Sequence, residues 1–378
     1  MAAKKPPRAD RHEAFMRRAL ALARKGSGRT SPNPAVGAVI VKRGQVIAEG
    51  WHRRAGEPHA EIEALRGAVS DVRGATLYVT LEPCSHFGRT PPCADAVVKS
   101  GIRKVFIGML DPNPLVSGEG IRMLEAAGIE VTTGVLDGEC RAINEPYIKR
   151  ITTGIPLVTI KLASTLDGRI ATASGESKWI TGVEARRLVH RMRAASDAIM
   201  VGGVTVIKDD PSLTVRHARG RNPMRVVVDS SFKSPFSSAV FNAGKGDGAT
   251  VLFTTRAAPT AKVAKARQAG VEVVLLPKGS GGVSLKSVLK ELGNRGITSL
   301  LVEGGGRLVA SFIKAGLADR FCVFIAPMFI GADGVPSVGV LGLKRLSKAP
   351  GIEWDKVRRA GADIVMEGRF KKKRTPAP

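Results

Sequence analysis

Helix-like and strand-like runs alternate along nearly the whole chain, in two series separated by one short break, and no other feature restricts the fold so strongly. In the first series, apolar residues at helical spacing run from Glu13 to Lys25 and stop at Gly26. AVGAVIVKRGQVIAEGWH follows, two β-rich runs about Lys42–Gln45 that read as a hairpin. From Pro58 the order is helix (59–69), strand (75–80), helix (93–100), strand (104–109), helix (119–127), strand (129–134) and a last helix ending near Lys149. Gly154-Ile155-Pro156 and a fresh β-run open the second series. Its strands are expected at 197–201, 225–229, 250–255, 271–277, 299–304 and 320–326, and its helices at 183–194, 260–269, 284–293 and 307–315. Such alternation predicts sheets covered by helices. With 378 residues, 43% of them hydrophobic, the chain can bury two cores. The expectation is a three-layer α/β domain over residues 1–150 and a second α/β domain with a mixed sheet over 151–378.

The formal charge is +26 and uneven: 23 basic against 16 acidic side chains up to residue 150, and 36 against 17 beyond it. The ends, MAAKKPPR and RFKKKRTPAP, read as solvated tails, and part of the remaining excess suits phosphate-bearing ligands. No apolar run reaches the ~20 residues of a membrane helix. The basic N-terminus lacks the apolar stretch of a secretory signal, and helical patterning by Ala14 leaves little room for a transit peptide. A cytoplasmic location is therefore expected. There the four cysteines, Cys84, Cys93, Cys140 and Cys322, suit metal binding or catalysis better than disulfides.

PHAEIEALRGA, from Pro58 to Ala68, places His59 and Glu61 in the first turn of a helix, where neither adds much to a core. TLEPCSHFGRTPPC, from Thr80 to Cys93, supplies two thiols, the second at a helix start. A catalytic zinc takes three protein ligands and keeps one position for water. His59, Cys84 and Cys93 provide the three, and the metal brings the water's pKa towards neutrality. Glu61, two residues past the imidazole, is offset to face the water and to carry a proton to a departing amine. Alone, His52, His86, Cys140 and Cys322 each read as core residues. A Cys84, His86 and Cys93 ligand set is the alternative, but it leaves the His59–Glu61 pair without a purpose.

His-x-Glu followed by Pro-Cys-x-x-Cys is the signature of zinc-dependent deaminases, yet here eight residues separate the two cysteines. That SHFGRTPP loop, with TSPNPAVGAVIV, GEPHAEIEAL and DPNPLVSGEG, resembles the bifunctional deaminase–reductase family of riboflavin biosynthesis, from about Phe15 to at least Gly331. The resemblance implies a cytidine-deaminase-like first domain that binds one zinc per chain, in which Asn33 holds the substrate ring and His52 lies near it.

LLVEGGGRLVASF, from Leu300 to Phe312, reads as a buried strand, a glycine turn and a helix whose N–H groups can take a pyrophosphate. Val309 stands where a Rossmann fingerprint has its third glycine, and the acidic residue about 20 positions on is missing, so that fold is not expected. KLASTLDGRIA, GESKWITGVEARRLVHRMRA, DAIMVGGVTVIKDDPSLTVR and RVVVDSS resemble the reductase half of the same family, which implies a dihydrofolate-reductase-like α/β domain using NADPH. Carried over, Ala163, Trp179, Thr205, Asp209, Ser230 and the loop Gly305, Gly306, Arg307, Leu308, Val309, Ala310 and Ser311 would contact the cofactor. Ser177, Arg193, Leu213, Arg216 and Glu303 would face the substrate, with both arginines suited to a 5′-phosphate. Lys161 and Asp210 are candidates to polarise or protonate the sugar. The implied reactions are deamination of a 2,5-diamino-6-ribosylamino-pyrimidinone 5′-phosphate and reduction of its ribosyl group to ribityl.

Other readings remain open at this point. A nucleic-acid-editing deaminase would share the zinc signature, but 4% aromatic residues offer little base stacking. A metal-stabilised binding module would have no use for Glu61. The expected partners are a phosphorylated pyrimidine and NADPH, with no membrane and no nucleic acid; the sequence leaves a homo-oligomer open.

Overall fold

The computed structural model describes residues 8–86, 91–114, 116–242 and 248–371. MAAKKPP, KKRTPAP and Phe87–Thr90 of the SHFGRTPP loop lie outside the described residues, as does Leu115. The chain divides into two compact units, Met1–Gly154 and Ile155–Pro378.

The first unit holds α1 (Arg8–Gly26), β1 (Gly37–Lys42), β2 (Gln45–Trp51), α2 (Ala60–Arg66), β3 (Thr76–Leu81), α3 (Cys93–Lys99) and β4 (Lys104–Met109). α4 (Glu119–Ala126), β5 (Glu130–Thr133), α5 (Asp137–Ile143) and α6 (Glu145–Thr153) complete it. The sheet runs β2-β1-β3-β4-β5, antiparallel about β1 and parallel from β3 to β5. Two glycines reveal why it has three layers. A Cβ on Gly37 would stand 2.0 Å from the Ala19 carbonyl of α1, and one on Gly50 would stand 2.3 Å from the Ala60 carbonyl of α2. Gly50 pairs with Ala38, the neighbour of Gly37, and adjacent residues of a strand face opposite ways. The two helices therefore press on opposite faces, at distances only glycine permits. Met16, Ala19, Leu20 and Ala23 are fully buried on α1 at helical spacing.

The second unit is built on a nine-stranded sheet. From one edge, Glu272–Leu275, Thr250–Thr254, Met224–Val228, Ala198–Gly202, Ser299–Val302, Leu157–Thr165 and Arg320–Ala326 lie parallel. An antiparallel hairpin, Asp363–Phe370 with Ile352–Ala360, extends the other edge and makes the sheet mixed. This hairpin corrects the reading of RFKKKRTPAP as solvated from its first residue. Arg369 pairs with Asp355 at 2.5 Å, and the Phe370 ring packs on Phe321 at 5.7 Å, so the strand ends only there. Arg8 of MAAKKPPR is likewise already helical. The single helix expected to end near Lys149 is two helices, α5 and α6, meeting at Asn144. Buried Asn144 ties that junction to β1's approach: its Oδ1 accepts the Ala35 N–H at 2.8 Å and its Nδ2 donates to the Ala35 carbonyl at 3.1 Å.

Candidate active sites

In the first unit, α2, the end of β3 and the start of α3 converge. His59 Nδ1 lies 3.6 Å from Cys84 Sγ and 3.3 Å from Cys93 Sγ. Tetrahedral zinc with ordinary Zn–S and Zn–N bonds separates its ligand atoms by about 3.5 Å, so the cluster fits zinc in donor type, number and spacing. It is the one such cluster of His, Cys and carboxylate groups among the described residues, and His86 is not part of it. Cys84 Sγ also accepts the Cys93 backbone N–H at 3.3 Å. The hydrogen bond between the two cysteine side chains, aided by His59 against the opposing effect of burial, holds the Cys84 thiol down to about 4. Cys93 is fully buried, and Glu61 only 3% exposed. Burial above all, and then the Cys84 charge, pushes the Glu61 carboxyl up to about 7, where it can both take and give a proton.

The cluster opens on a cavity of about 420 Å³ whose walls include Asn33, His52, Glu61, His86, Asp111 and Tyr147. His52 Nδ1 lies 3.1 Å from the Pro58 carbonyl, which can only accept, so Nδ1 carries the proton. Nε2 then accepts from Asn33 Nδ2 at 3.2 Å, orienting the carboxamide. Burial lowers the His52 pKa and keeps the ring neutral for this role. His52 is buried, at 2% exposure, and also forms part of the cavity wall, whereas His86 is exposed in that wall rather than buried. Cys140 and Cys322 are core residues, and all four thiols are free.

Sequence reasoning missed Glu82. Its buried carboxylate accepts the N–H groups of Asp111 (3.2 Å), Gly118 (3.1 Å) and Gly120 (3.1 Å), clamping the loop that brings Asp111 to the cavity. The signal was present: a lone carboxylate ending the apolar run of β3, one residue before Pro-Cys.

In the second unit a cavity of about 250 Å³ lies at the carboxyl ends of the parallel strands, where ligands of open α/β sheets bind. Ala163, Thr205, Asp209 and Gly305 of the expected cofactor residues line it, as do Arg193, Leu213 and Glu303 of the expected substrate residues. Lys161 lines it too. Asp210 does not: its Oδ1 accepts the Ala239 N–H at 2.7 Å. Ser177, Trp179, Arg216 and Ser230 also lie outside the cavity wall. Trp179 is 67% exposed under the Arg186 guanidinium, and Ser230 Oγ accepts the Val283 N–H at 2.9 Å.

Helix Gly306–Lys314 follows strand Ser299–Val302, and no side chain caps its first N–H groups, which therefore suit a pyrophosphate. Gly305 N–H donates to Thr205 Oγ1 at 3.3 Å, and a Cβ on Gly306 would stand 2.6 Å from the Pro336 carbonyl. Val309 and Ala310 are buried in the core, so their side chains pack the helix rather than meet a ligand.

Arg193 makes a two-pronged ion pair with Glu303, at 2.8 Å for each oxygen, and donates to the Thr214 carbonyl at 3.2 Å. Three of its five N–H groups are thereby engaged, and one on each terminal nitrogen remains for a further acceptor. Burial acts to raise the Glu303 carboxyl, but Arg193, with Lys161, outweighs it and holds the group below the usual range. Burial also lowers the Lys161 ammonium, opposed by Glu303.

Among the described residues no helix is long and apolar enough to cross a membrane. The family model "Cytidine and deoxycytidylate deaminase zinc-binding region" matches residues 9–109, and "RibD C-terminal domain" matches residues 156–366. The riboflavin biosynthesis protein RibD of Aquifex aeolicus is 46% identical over 353 residues, 93% of this chain and 96% of that one. Its Escherichia coli counterpart is 42% identical over 368 residues, 94% and 98% of the two chains. A structure of Acinetobacter baumannii RibD superposes with a TM-score of 0.88 at 37% identity, covering 96% of this chain and 100% of that one. A Thermotoga maritima structure superposes with a TM-score of 0.85 at 40% identity, covering 97% and 100%. It is described as a diaminohydroxyphosphoribosylaminopyrimidine deaminase/5-amino-6-(5-phosphoribosylamino)uracil reductase. Similarity of this extent runs through both units, and the chain belongs to the RibD family of riboflavin biosynthesis proteins.

Proposed function

We infer that this chain performs two consecutive steps of riboflavin biosynthesis in the cytoplasm. It deaminates 2,5-diamino-6-ribosylamino-4(3H)-pyrimidinone 5′-phosphate by hydrolysis, then reduces the ribosyl group to ribityl with NADPH. The observation that carries this reading is the presence, in one chain that covers 96% of its Aquifex aeolicus relative, of the His59–Cys84–Cys93 cluster beside buried Glu61 and of the Lys161–Glu303–Arg193 cavity.

His59, Cys84 and Cys93 would hold a zinc ion, which would supply the Lewis acidity that makes water a nucleophile near neutral pH. Glu61 would take a proton from the attacking water and pass one to the departing amine, so the bond from the ring carbon to its exocyclic amino nitrogen breaks, a carbonyl forms and ammonia leaves. Asn33, oriented by His52, holds the ring with the carboxamide groups that His52 does not use. Glu82 keeps the Asp111–Gly120 loop against the cavity.

NADPH supplies the hydride for the second step. The N–H groups at the start of helix Gly306–Lys314 would hold its pyrophosphate. Lys161 donates a proton to the sugar as hydride arrives, and burial eases that release by lowering its pKa. Glu303 holds Lys161 and Arg193 in place by charge, and the 5′-phosphate falls to exposed Arg216, whose fork meets no carboxylate among the described residues.

Mass spectrometry of the product from the diaminopyrimidine, with and without NADPH, tests the two steps. Glu61→Gln should keep its zinc, slow deamination at least about a hundredfold, and oxidise NADPH only when given the deaminated intermediate. Equal reduction of both compounds by this variant would discard the ordered scheme.

A further inference from the structure

Strands Met224–Val228, Thr250–Thr254 and Glu272–Leu275 lie side by side and leave the sheet at its carboxyl edge. The segments that follow them are tied together there. Thr255 donates its N–H at 3.2 Å and its hydroxyl at 2.7 Å to the Ser230 carbonyl, and the Leu276 N–H reaches the Thr254 carbonyl at 2.8 Å. Lys278–Gly279 then pairs antiparallel with Gly282–Val283, forming a short hairpin that turns back from the outer strand. The hairpin crosses Ser230, because Val283 bonds to Ser230 Oγ and a Cβ on Gly282 would stand only 2.4 Å from that atom. It also reaches the helix assigned to the pyrophosphate: a Cβ on Gly281 would stand 3.3 Å from Ser311 Oγ. The hairpin thus bridges helix Gly306–Lys314 and the ends of the outer strands, which the adenosine half of a dinucleotide would face if its pyrophosphate lay on that helix.

Two cations flank this bridge. Arg256 directly follows Thr255, and Lys278 opens the hairpin; both are exposed and neither pairs with a carboxylate among the described residues. Lys233 on the neighbouring turn is exposed as well, whereas three other charged groups of this corner are engaged. Lys262 donates to the carbonyls of Phe232 and Ser234 at 2.7 Å each, Asp229 accepts the Ser234 N–H at 2.8 Å, and Glu272 pairs with Arg295 at 2.6 Å.

We propose that Arg256, with Lys278 as the second charge, binds the 2′-phosphate of NADPH and so selects it over NADH. The assignment rests on the reductase reading above. A planar guanidinium matches two phosphate oxygens at once, and the Ser230 hydrogen bonds fix the backbone from which Arg256 projects. A lysine contributes charge without that geometry, so Arg256 carries the larger share.

Adenosine 2′,5′-bisphosphate and 5′-AMP, which differ only in the 2′-phosphate, serve as probes in calorimetry on the full-length protein. Wild type should prefer the bisphosphate. Arg256→Gln should weaken bisphosphate binding by about ten- to a hundredfold, the loss of a charge-assisted contact, and leave AMP binding unchanged. Lys278→Gln should lose less in the same direction, and the ratio of NADPH to NADH affinity should fall in parallel. Full discrimination retained in both variants overturns the assignment, as does a loss confined to Lys233→Gln on the neighbouring turn. Wild type that binds neither NADPH nor the bisphosphate would instead sink the reductase reading and this assignment with it.

Discussion

Replacing Glu303 by glutamine removes one charge and almost no volume, yet it should be among the most damaging changes in the second unit. The carboxylate meets Arg193 at 2.8 Å through both oxygens, and the two side chains are only 9% and 13% exposed. It also shares the small cavity with the Lys161 ammonium, so the amide would leave both cations without the carboxylate that offsets their charge. Breaking a buried pair from one side costs about 3–5 kcal/mol, against 1 kcal/mol or less for an exposed pair. Native-state hydrogen exchange reads this cost at the amides of Leu157–Thr165 and Ser299–Val302, the strands beside the pair. Where global opening limits exchange, the variant should exchange about two to four decades faster. The double variant Arg193→Met, Glu303→Leu should recover much of that loss, because it leaves no charge of the pair behind. The acid limb gives an independent check. Glu303 titrates lower in the folded chain than unfolded, so its contribution is complete above the ordinary carboxylate pKa and fades as pH falls through the folded value. The gap between wild type and Glu303→Gln should therefore narrow below about pH 4. A loss under 1 kcal/mol at neutral pH would mean that water screens the pair, and the argument from burial would fail.

Cys93→Ser should lose zinc and ammonia release together, measured by metal analysis and an ammonia assay; full zinc content in the variant would remove Cys93 from the ligand set. Glu82→Gln sets an NH₂ group against at least one of the three N–H donors whichever way the amide turns, an orphaned donor costing about 1–3 kcal/mol. With zinc retained, the KM for the diaminopyrimidine should rise more than kcat falls; an unchanged KM would dismiss the loop clamp.

The two sites were not equally legible in the sequence, and the reason is how each is assembled. His59 and Glu61 sit two residues apart, and Cys84 and Cys93 bracket a single loop, so metal chemistry leaves a local pattern of residue types. Lys161, Arg193, Thr205 and Glu303 stand alone, each on or beside a different strand or helix. Only a parallel sheet, which delivers its carboxyl ends to one edge, turns them into a site. Resemblance could nominate these residues, but it could not show that Arg193 is already committed to Glu303. The same limit explains the missed hairpin. Ile352–Ala360 is exposed along most of its length and carries charges where a strand pattern would alternate, so pairing with Asp363–Phe370 makes it a strand, not burial. RFKKKR hides its boundary for that reason: composition sees one basic run, whereas the packing of Phe370 on Phe321 divides it. Backbone proximity was beyond reach as well. KGSGGV reads as an ordinary turn until Gly282 is found pressed against Ser230, where an added Cβ would stand 2.4 Å from the hydroxyl oxygen. In this chain, periodicity sets the layers and residue type marks the metal, but selection between ligands is decided where segments distant in sequence meet at one sheet edge.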